Sequence, residues 1–218
     1  MALPLEQRVI ALEALAAAVQ VTDGAAYDDA ARAVLDAVTR AGLTGAALVR
    51  VPADYYSLSL EARGAILACP PAALCKTLVF ENAAASVIGH AADVGDARFV
   101  AVVLQYTHKL DVSTLEAFLR RHSATGATSL RAAPDIIAVT GFAPGGVTPF
   151  GWTCSAPVLV SKSVASLPAA SVPFVWLGGG HPLVKLRVSA RELCARAAGV
   201  VACTVARDAS DDDDGPNV

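Results

Sequence analysis

After residue 70 the chain changes character, and that change limits its fold more than any other feature. Short apolar, β-branched runs appear between turn signals at 77–80, 99–106, 158–160, 174–177, 184–188 and 200–205. Such runs are the signature of strands set in a sheet. Helical periodicity interrupts them at 112–122, 133–139 and 189–197. The spacing is too irregular for repeated βαβ units, and no fixed-period repeat is present. The pattern predicts an α+β fold over 70–206: a mixed, strongly curved sheet or partly open barrel with helices packed outside.

The stretch before it reads differently. Leu5, Val9, Leu12, Leu15 and Val19 keep helical spacing over 3–20. A second helix is predicted over 26–41, capped by Thr22 or Asp23 and stopped by Gly42. A strand at 46–51, a loop holding Tyr55 and Tyr56, and a short helix at 59–68 follow. Further caps are predicted at Asp111 or Ser113 and at Ser189, where Glu192 completes an S-x-x-E capping box. The expected organisation is a helical extension over 1–50 packed on the main domain, the main domain over 51–206, and an acidic tail over 207–218.

An apolar share of 55% against a charged share of 17% supplies a sizeable core and argues against disorder. No apolar run approaches the roughly 18 residues of a membrane span. Glu6, Arg8 and Glu13 break the first segment into an amphipathic helix rather than a signal peptide. A cytoplasmic protein without membrane contact is expected, with an organelle left open. The five cysteines form no Cys-x-x-Cys pair, and the four histidines are scattered. No zinc-type spacing exists, so neither metal nor cofactor is expected, and the thiols read as reduced, partly core residues. The tail from Asp208 holds five Asp, so the net charge of −3 hides a body with 15 acids against 17 bases. Its like charges read as a solvated end.

Three places could carry chemistry. GFAPGGVTPFG, at 141–151, holds four glycines and two prolines in eleven residues. Glycine admits close backbone approach, so such a loop can aim amide groups at a carbonyl, oxyanion or phosphate. Taken alone it reads equally as a turn, the commoner use of such clusters. Lys76 opens a buried strand and is either a snorkelling side chain or a fixed charge at a cleft rim. Gly178, Gly179 and Gly180 follow the apolar strand FVWL and lead into His181. His181 is either a proton shuttle or a loop histidine bonded to main chain.

In this order the pieces resemble the YbaK/EbsC family of aminoacyl-tRNA deacylases, which is similar to the editing domain of bacterial-type prolyl-tRNA synthetases. CKTLVF carries the lysine, and GFAPGGVTPFG stands in place of the family's G-x-x-x-G-G-x-S-P-x-G loop. FVWLGGG matches the strand and turn, and LRVSARELCARAAG the closing strand and helix. KLDVSTLEAFLRR and RAAPDIIAVTG also fit. The resemblance spans 70–206 and leaves out the N-terminal helices and the tail.

What the resemblance implies is hydrolysis of the ester joining a wrong amino acid to tRNA, with Cys or Ala on proline tRNA as leading substrates. It assigns catalysis to Lys76, Gly145 and His181. It assigns contact with the aminoacyl-tRNA acceptor end to Gly141, Gly146, Val147, Thr148, Pro149, Thr77 and Gly180. A synthetase or an elongation factor is a further candidate partner. Thr148 stands where many members have serine, and Thr77 where the alanine-editing branch often has asparagine. Amides of Gly145 and Gly146 would hold the developing oxyanion, Lys76 a negative charge, and Leu78, Phe80, Val139, Phe150 and Trp152 are candidate walls. The alternatives are a non-catalytic module that binds nucleotide or tRNA ends, and an adaptor that docks on a synthetase.

Overall fold

The computed structural model describes residues 28–87, 93–154, 156–197 and 199–201. The expected helix at 3–20, the acidic tail and Cys203 lie outside the described residues. Helix α1 (Asp29–Arg40) begins where Asp28 accepts a hydrogen bond from the Ala31 amide at 2.9 Å. That side chain takes the capping role expected of Thr22 or Asp23. The helix buries Ala31, Val34 and Val38, one apolar stripe at helical spacing. Gly42, with φ of +64°, lies just past its end.

Two open sheets follow. In the smaller, β1 (Ala47–Arg50) pairs antiparallel with β7 (Val184–Ser189), which pairs antiparallel with β6 (Phe174–Gly178). The larger has the order β4-β2-β3-β5-β8. There β2 (Cys75–Asn82) runs antiparallel to both β3 (Phe99–Gln105) and β4 (Leu130–Ala132). Strand β5 (Val158–Ser161) is parallel to β3 and to β8 (Gly199–Val201), so this sheet is mixed. A bridge between Leu74 and Trp176 joins the two sheets. The expected α+β architecture is present, as two sheets rather than a closed barrel.

Helices α2 (Leu60–Ile66), α3 (Val112–Arg121), α4 (Ile136–Thr140), α5 (Lys162–Ala165) and α6 (Ala190–Arg196) complete the fold. Their starts follow local chemistry: Ser59, Asp111, Asp135, Ser161 and Ser189 each cap a helix through the side chain. The capping box at Ser189 does not close. Glu192 turns its carboxylate to the amide and hydroxyl of Thr44, at 3.1 and 2.7 Å, and ties α6 to the segment after α1. Strand β4 and helix α5 lack apolar runs of their own and were not predicted from the sequence.

The alternation of β2 sorts its side chains. Cys75 and Val79 enter the main core with Val139, Phe142 and Val147. Phe80 belongs to a second cluster, with Leu115 and Leu119 of α3, and Leu78 packs against it. The candidate walls therefore divide: Val139, Phe150 and Trp152 belong to the main core, Leu78 and Phe80 to the other face. The two groups pack on opposite faces of β2, because successive strand residues alternate between its faces.

Candidate active site

The glycine loop starts where α4 ends. Gly141 has φ of +81° and closes the helix in the left-handed conformation. Phe142 then turns into the core, and its amide donates to Thr140 Oγ1 at 3.0 Å. The Gly146 amide donates to the Ala143 carbonyl at 2.9 Å. That bond occupies the Gly146 N–H within the loop. Among the described residues, the amides of Gly145 and Val147 meet no protein acceptor.

The two glycine clusters, far apart in sequence, pack backbone to backbone. The Gly180 amide donates to the Gly146 carbonyl at 2.8 Å. A Cβ on Gly146 would lie 2.8 Å from the Gly180 carbonyl, and one on Gly178 would lie 2.3 Å from the Val147 oxygen. No side chain fits between these chains, which is the physical reason for glycine on both sides. Helix α1 closes over the pair: Gly180 abuts the Ala30 carbonyl and Gly151 the Ala33 carbonyl.

A buried cationic and aromatic cluster lies beside the loop. The Tyr56 hydroxyl donates to the Gly145 carbonyl at 2.7 Å, and Lys185 Nζ donates to the same oxygen at 3.1 Å. Lys185 also donates to the Tyr56 hydroxyl and lies 4.3 Å from the centre of its ring. Arg63 holds the tyrosines in place, donating to the carbonyls of Tyr55 and Tyr56 at 3.2 and 2.6 Å. Tyr55, Cys75, Tyr106, Trp176, Gly178 and Lys185 line a small hollow.

Lys76 approaches this cluster from β2. It is half-buried, and its ammonium lies 5.5 Å from the centre of the Tyr106 ring. Tyr106 hydrogen-bonds Tyr56. Lys185 is in hydrogen-bond contact with the loop. Thr148 is 0% exposed and Thr77 6%. Each has a buried hydroxyl with no partner, and an unmet buried hydroxyl costs about 1–3 kcal/mol unless a ligand or water satisfies it. His181 Nδ1 accepts from the Leu183 amide at 3.0 Å, which leaves the ring proton of the neutral form on Nε2. Nε2 lies 3.9 Å from Asp28 Oδ2, so His181 faces the start of α1.

A sequence model of the aminoacyl-tRNA editing domain matches residues 58–194. The chain belongs to this editing family. The match takes in Lys76, both glycine clusters and Lys185. Among solved structures, a candidate trans-editing enzyme for prolyl tRNA synthetase is 21% identical to the editing domain, with a TM-score of 0.64 over 83% of this chain and 99% of that one. The hypothetical protein APE2540 is 22% identical, with a TM-score of 0.57 over 78% and 98%. A scaffold computationally grafted with an epitope backbone is 20% identical, with a TM-score of 0.62 over 82% and 99%. These likenesses share the fold. No curated protein matches the sequence. Among the described residues, no helix is long and apolar enough to cross a membrane.

Electrostatics separate the groups of the editing domain that can ionise from those that cannot. Burial, with repulsion from Arg63, lowers the Lys185 ammonium to about 7. Burial raises the hydroxyls of Tyr55 and Tyr56, so both stay protonated donors. It also raises the Cys75 thiol, and lifts Cys69 to about 12, which removes both as nucleophiles. Sequence reasoning missed Lys185, Tyr56, Tyr106 and Arg63 as site residues. A lysine between Val184 and Leu186 reads as the solvent face of a strand, but Lys185 is buried and lies against the rings of Tyr55 and Tyr56.

Proposed function

We propose that the protein is a deacylase that hydrolyses the ester of mischarged aminoacyl-tRNA in the cytoplasm, with Cys or Ala on proline tRNA as its first substrates. One observation carries this reading: a loop with uncommitted amides at Gly145 and Val147 packs against the second glycine turn, beside buried ammonium and tyrosine groups. Amides so placed stabilise charge on an ester oxygen as it develops. In this scheme the Gly145 and Val147 amides take the oxyanion, and the Thr148 and Thr77 hydroxyls contact the aminoacyl end. Gly141, Pro149 and Gly180 set the loop's path. Lys76 holds negative charge on the acceptor-end phosphate or the oxyanion.

Water adds to the ester carbonyl, and the tetrahedral intermediate collapses by breaking the bond to the ribose oxygen. That oxygen takes the proton, giving free amino acid and tRNA. His181 Nε2 is the candidate for ordering the water. With cysteine as the amino acid, its own thiol is a second nucleophile: the C–S bond forms as the ester bond to the ribose oxygen breaks, that oxygen takes the thiol proton, and water then opens the cyclic thioester to free cysteine. An aminoacyl ester is reactive, so orientation and charge stabilisation supply most of the acceleration. A small hollow excludes bulky residues but separates Ala from Cys weakly, since a methylene is worth about 1–3 kcal/mol. The near-neutral body predicts weak, salt-sensitive affinity for tRNA, which a synthetase or elongation factor would reinforce.

Incubation with a panel of aminoacylated tRNAs at low salt, scored by amino-acid release, tests the reading. Release of Cys or Ala from proline tRNA is expected. Tight tRNA binding with no release from any member would replace the deacylase by a binding module.

A further inference from the structure

The peptide between Gly145 and Gly146 has a glycine on each side. Glycine imposes little barrier on its own dihedrals, so such a peptide can flip unless both its ends are held. Its N–H end is held by the Ala143 carbonyl at 2.9 Å. Its carbonyl end is held by Tyr56 at 2.7 Å and Lys185 at 3.1 Å. A flip would turn the carbonyl oxygen toward the Ala143 carbonyl and break the bonds at both ends. The next carbonyl, of Gly146, is tied to the Gly180 amide, so the Val147 N–H on the same trans peptide points the opposite way. What holds the Gly145 oxygen therefore fixes the path of the loop between the Gly145 and Val147 amides.

We propose that Lys185 is a positioning residue of the editing centre: its ammonium locks the Gly145–Gly146 peptide in one orientation and so fixes the loop's path between the Gly145 and Val147 amides. The proposal rests on the deacylase reading for its kinetic part and on the loop contact alone for its structural part. Lys185 is 5% exposed, and both its hydrogen-bond partners are neutral oxygens. The titratable and charged groups around it are Tyr55 and Tyr56 of the 55–57 turn, Arg63 of α2, and Cys75 on β2. Tyr106, with Lys76 over its ring, and His181 in the preceding turn complete the set. No carboxylate belongs to this set among the described residues. The charge on Lys185 is therefore not neutralised locally, and its loss near pH 7 weakens the grip on the Gly145 oxygen.

The test compares wild type, Lys185→Met and Tyr56→Phe by two readouts. The first is deacylation across pH 6–9. Wild type should show a step near pH 7 in kcat. Lys185→Met should lose the step and at least about tenfold in kcat, with KM changed less than about threefold, as expected for an interaction used in the transition state. Tyr56→Phe should lower kcat less and keep the step. A Lys185→Met protein with the kcat and pH profile of wild type overturns the proposal. The second readout needs no substrate: amide resonances of Gly145 and Gly146 in glycine-labelled protein. They should titrate near pH 7 in wild type and Tyr56→Phe, but not in Lys185→Met. Resonances that ignore pH in wild type, or titrate equally without Lys185, also overturn it. Titrating resonances in a protein that releases no amino acid from any tRNA support the lock and remove the editing reading instead.

Discussion

The two ends of β2 treat a buried charge in opposite ways. At its C-terminal end Glu81 is buried and bonded by two arginines, Arg98 at 2.9 Å and Arg131 at 2.7 Å. Those bonds hold its carboxyl below the usual range. Beyond its N-terminal end Lys185 is buried too, but it faces a carbonyl and a phenol, and its affinity for protons falls. A charge met by opposite charges is fixed and structural. A charge met by neutral dipoles titrates near working pH and is available to a reaction. The fold thus places a permanent ionic clamp at one end of its central strand and an adjustable one at the other.

The comparison breaks most visibly through activity. Lys76→Ala, at the adjustable end, should lower deacylation more than about 100-fold, the scale of losing a charge-stabilising group. Its melting temperature should match wild type, because Lys76 is half-buried and caps no core. Wild-type turnover by this variant would take Lys76 out of the mechanism.

Gly178→Ala tests the junction of the glycine clusters. Its Cβ would stand 2.3 Å from the Val147 oxygen, so the loop must move. Release of amino acid should fall about tenfold or more, and urea unfolding should show a loss of about 1–3 kcal/mol, typical of overpacking. An unchanged unfolding midpoint would show that the two turns do not touch in solution.

The pH dependence of stability should have opposite signatures at the two ends. Lys185 has a folded value near 7, below the 10.5 of the unfolded chain. Between these values the unfolded state binds more protons, so stability rises with pH, and burying the charge costs most below 7. Wild type should therefore gain on Lys185→Met between pH 7 and pH 9.5 in unfolding measurements. Glu81 has a folded value lowered from 4.5, so its contribution is present above that value and lost as pH falls. Glu81→Gln should flatten the acid limb of the stability curve and leave the alkaline limb alone.

The smallest expected effect is that of Glu81→Gln on catalysis. It should keep wild-type kcat while lowering the melting temperature slightly, through loss of the bonds from Arg98 and Arg131. A drop in kcat comparable to that of Lys185→Met would erase the distinction between the ends.

The strands were legible because β-branched runs between turns admit little else, as at 99–106 and 184–188. The helix caps at Asp111 and Ser189 were legible for the same local reason: a side chain beside its own amides has few other uses. Strand β4 was not, because Leu130, Arg131 and Ala132 become a strand only by pairing with Phe80, Glu81 and Asn82. Glu192 looked like half of a capping box until Thr44, 148 residues earlier, offered better donors.

For the site, the sequence by itself determined which segments are built for close approach: 141–151 and 178–181, whose glycines leave no other economical use of backbone freedom. It also determined the family, through Lys76 and the glycine motifs in order. Only the tertiary structure decided that these turns share a hydrogen bond, that Gly146 spends its amide inside the loop, and that Lys185 touches Gly145. The reason is physical. Backbone permissiveness is a property of the residue and travels with the sequence, whereas the proton affinity and partners of a lysine are set by whatever the fold packs around it.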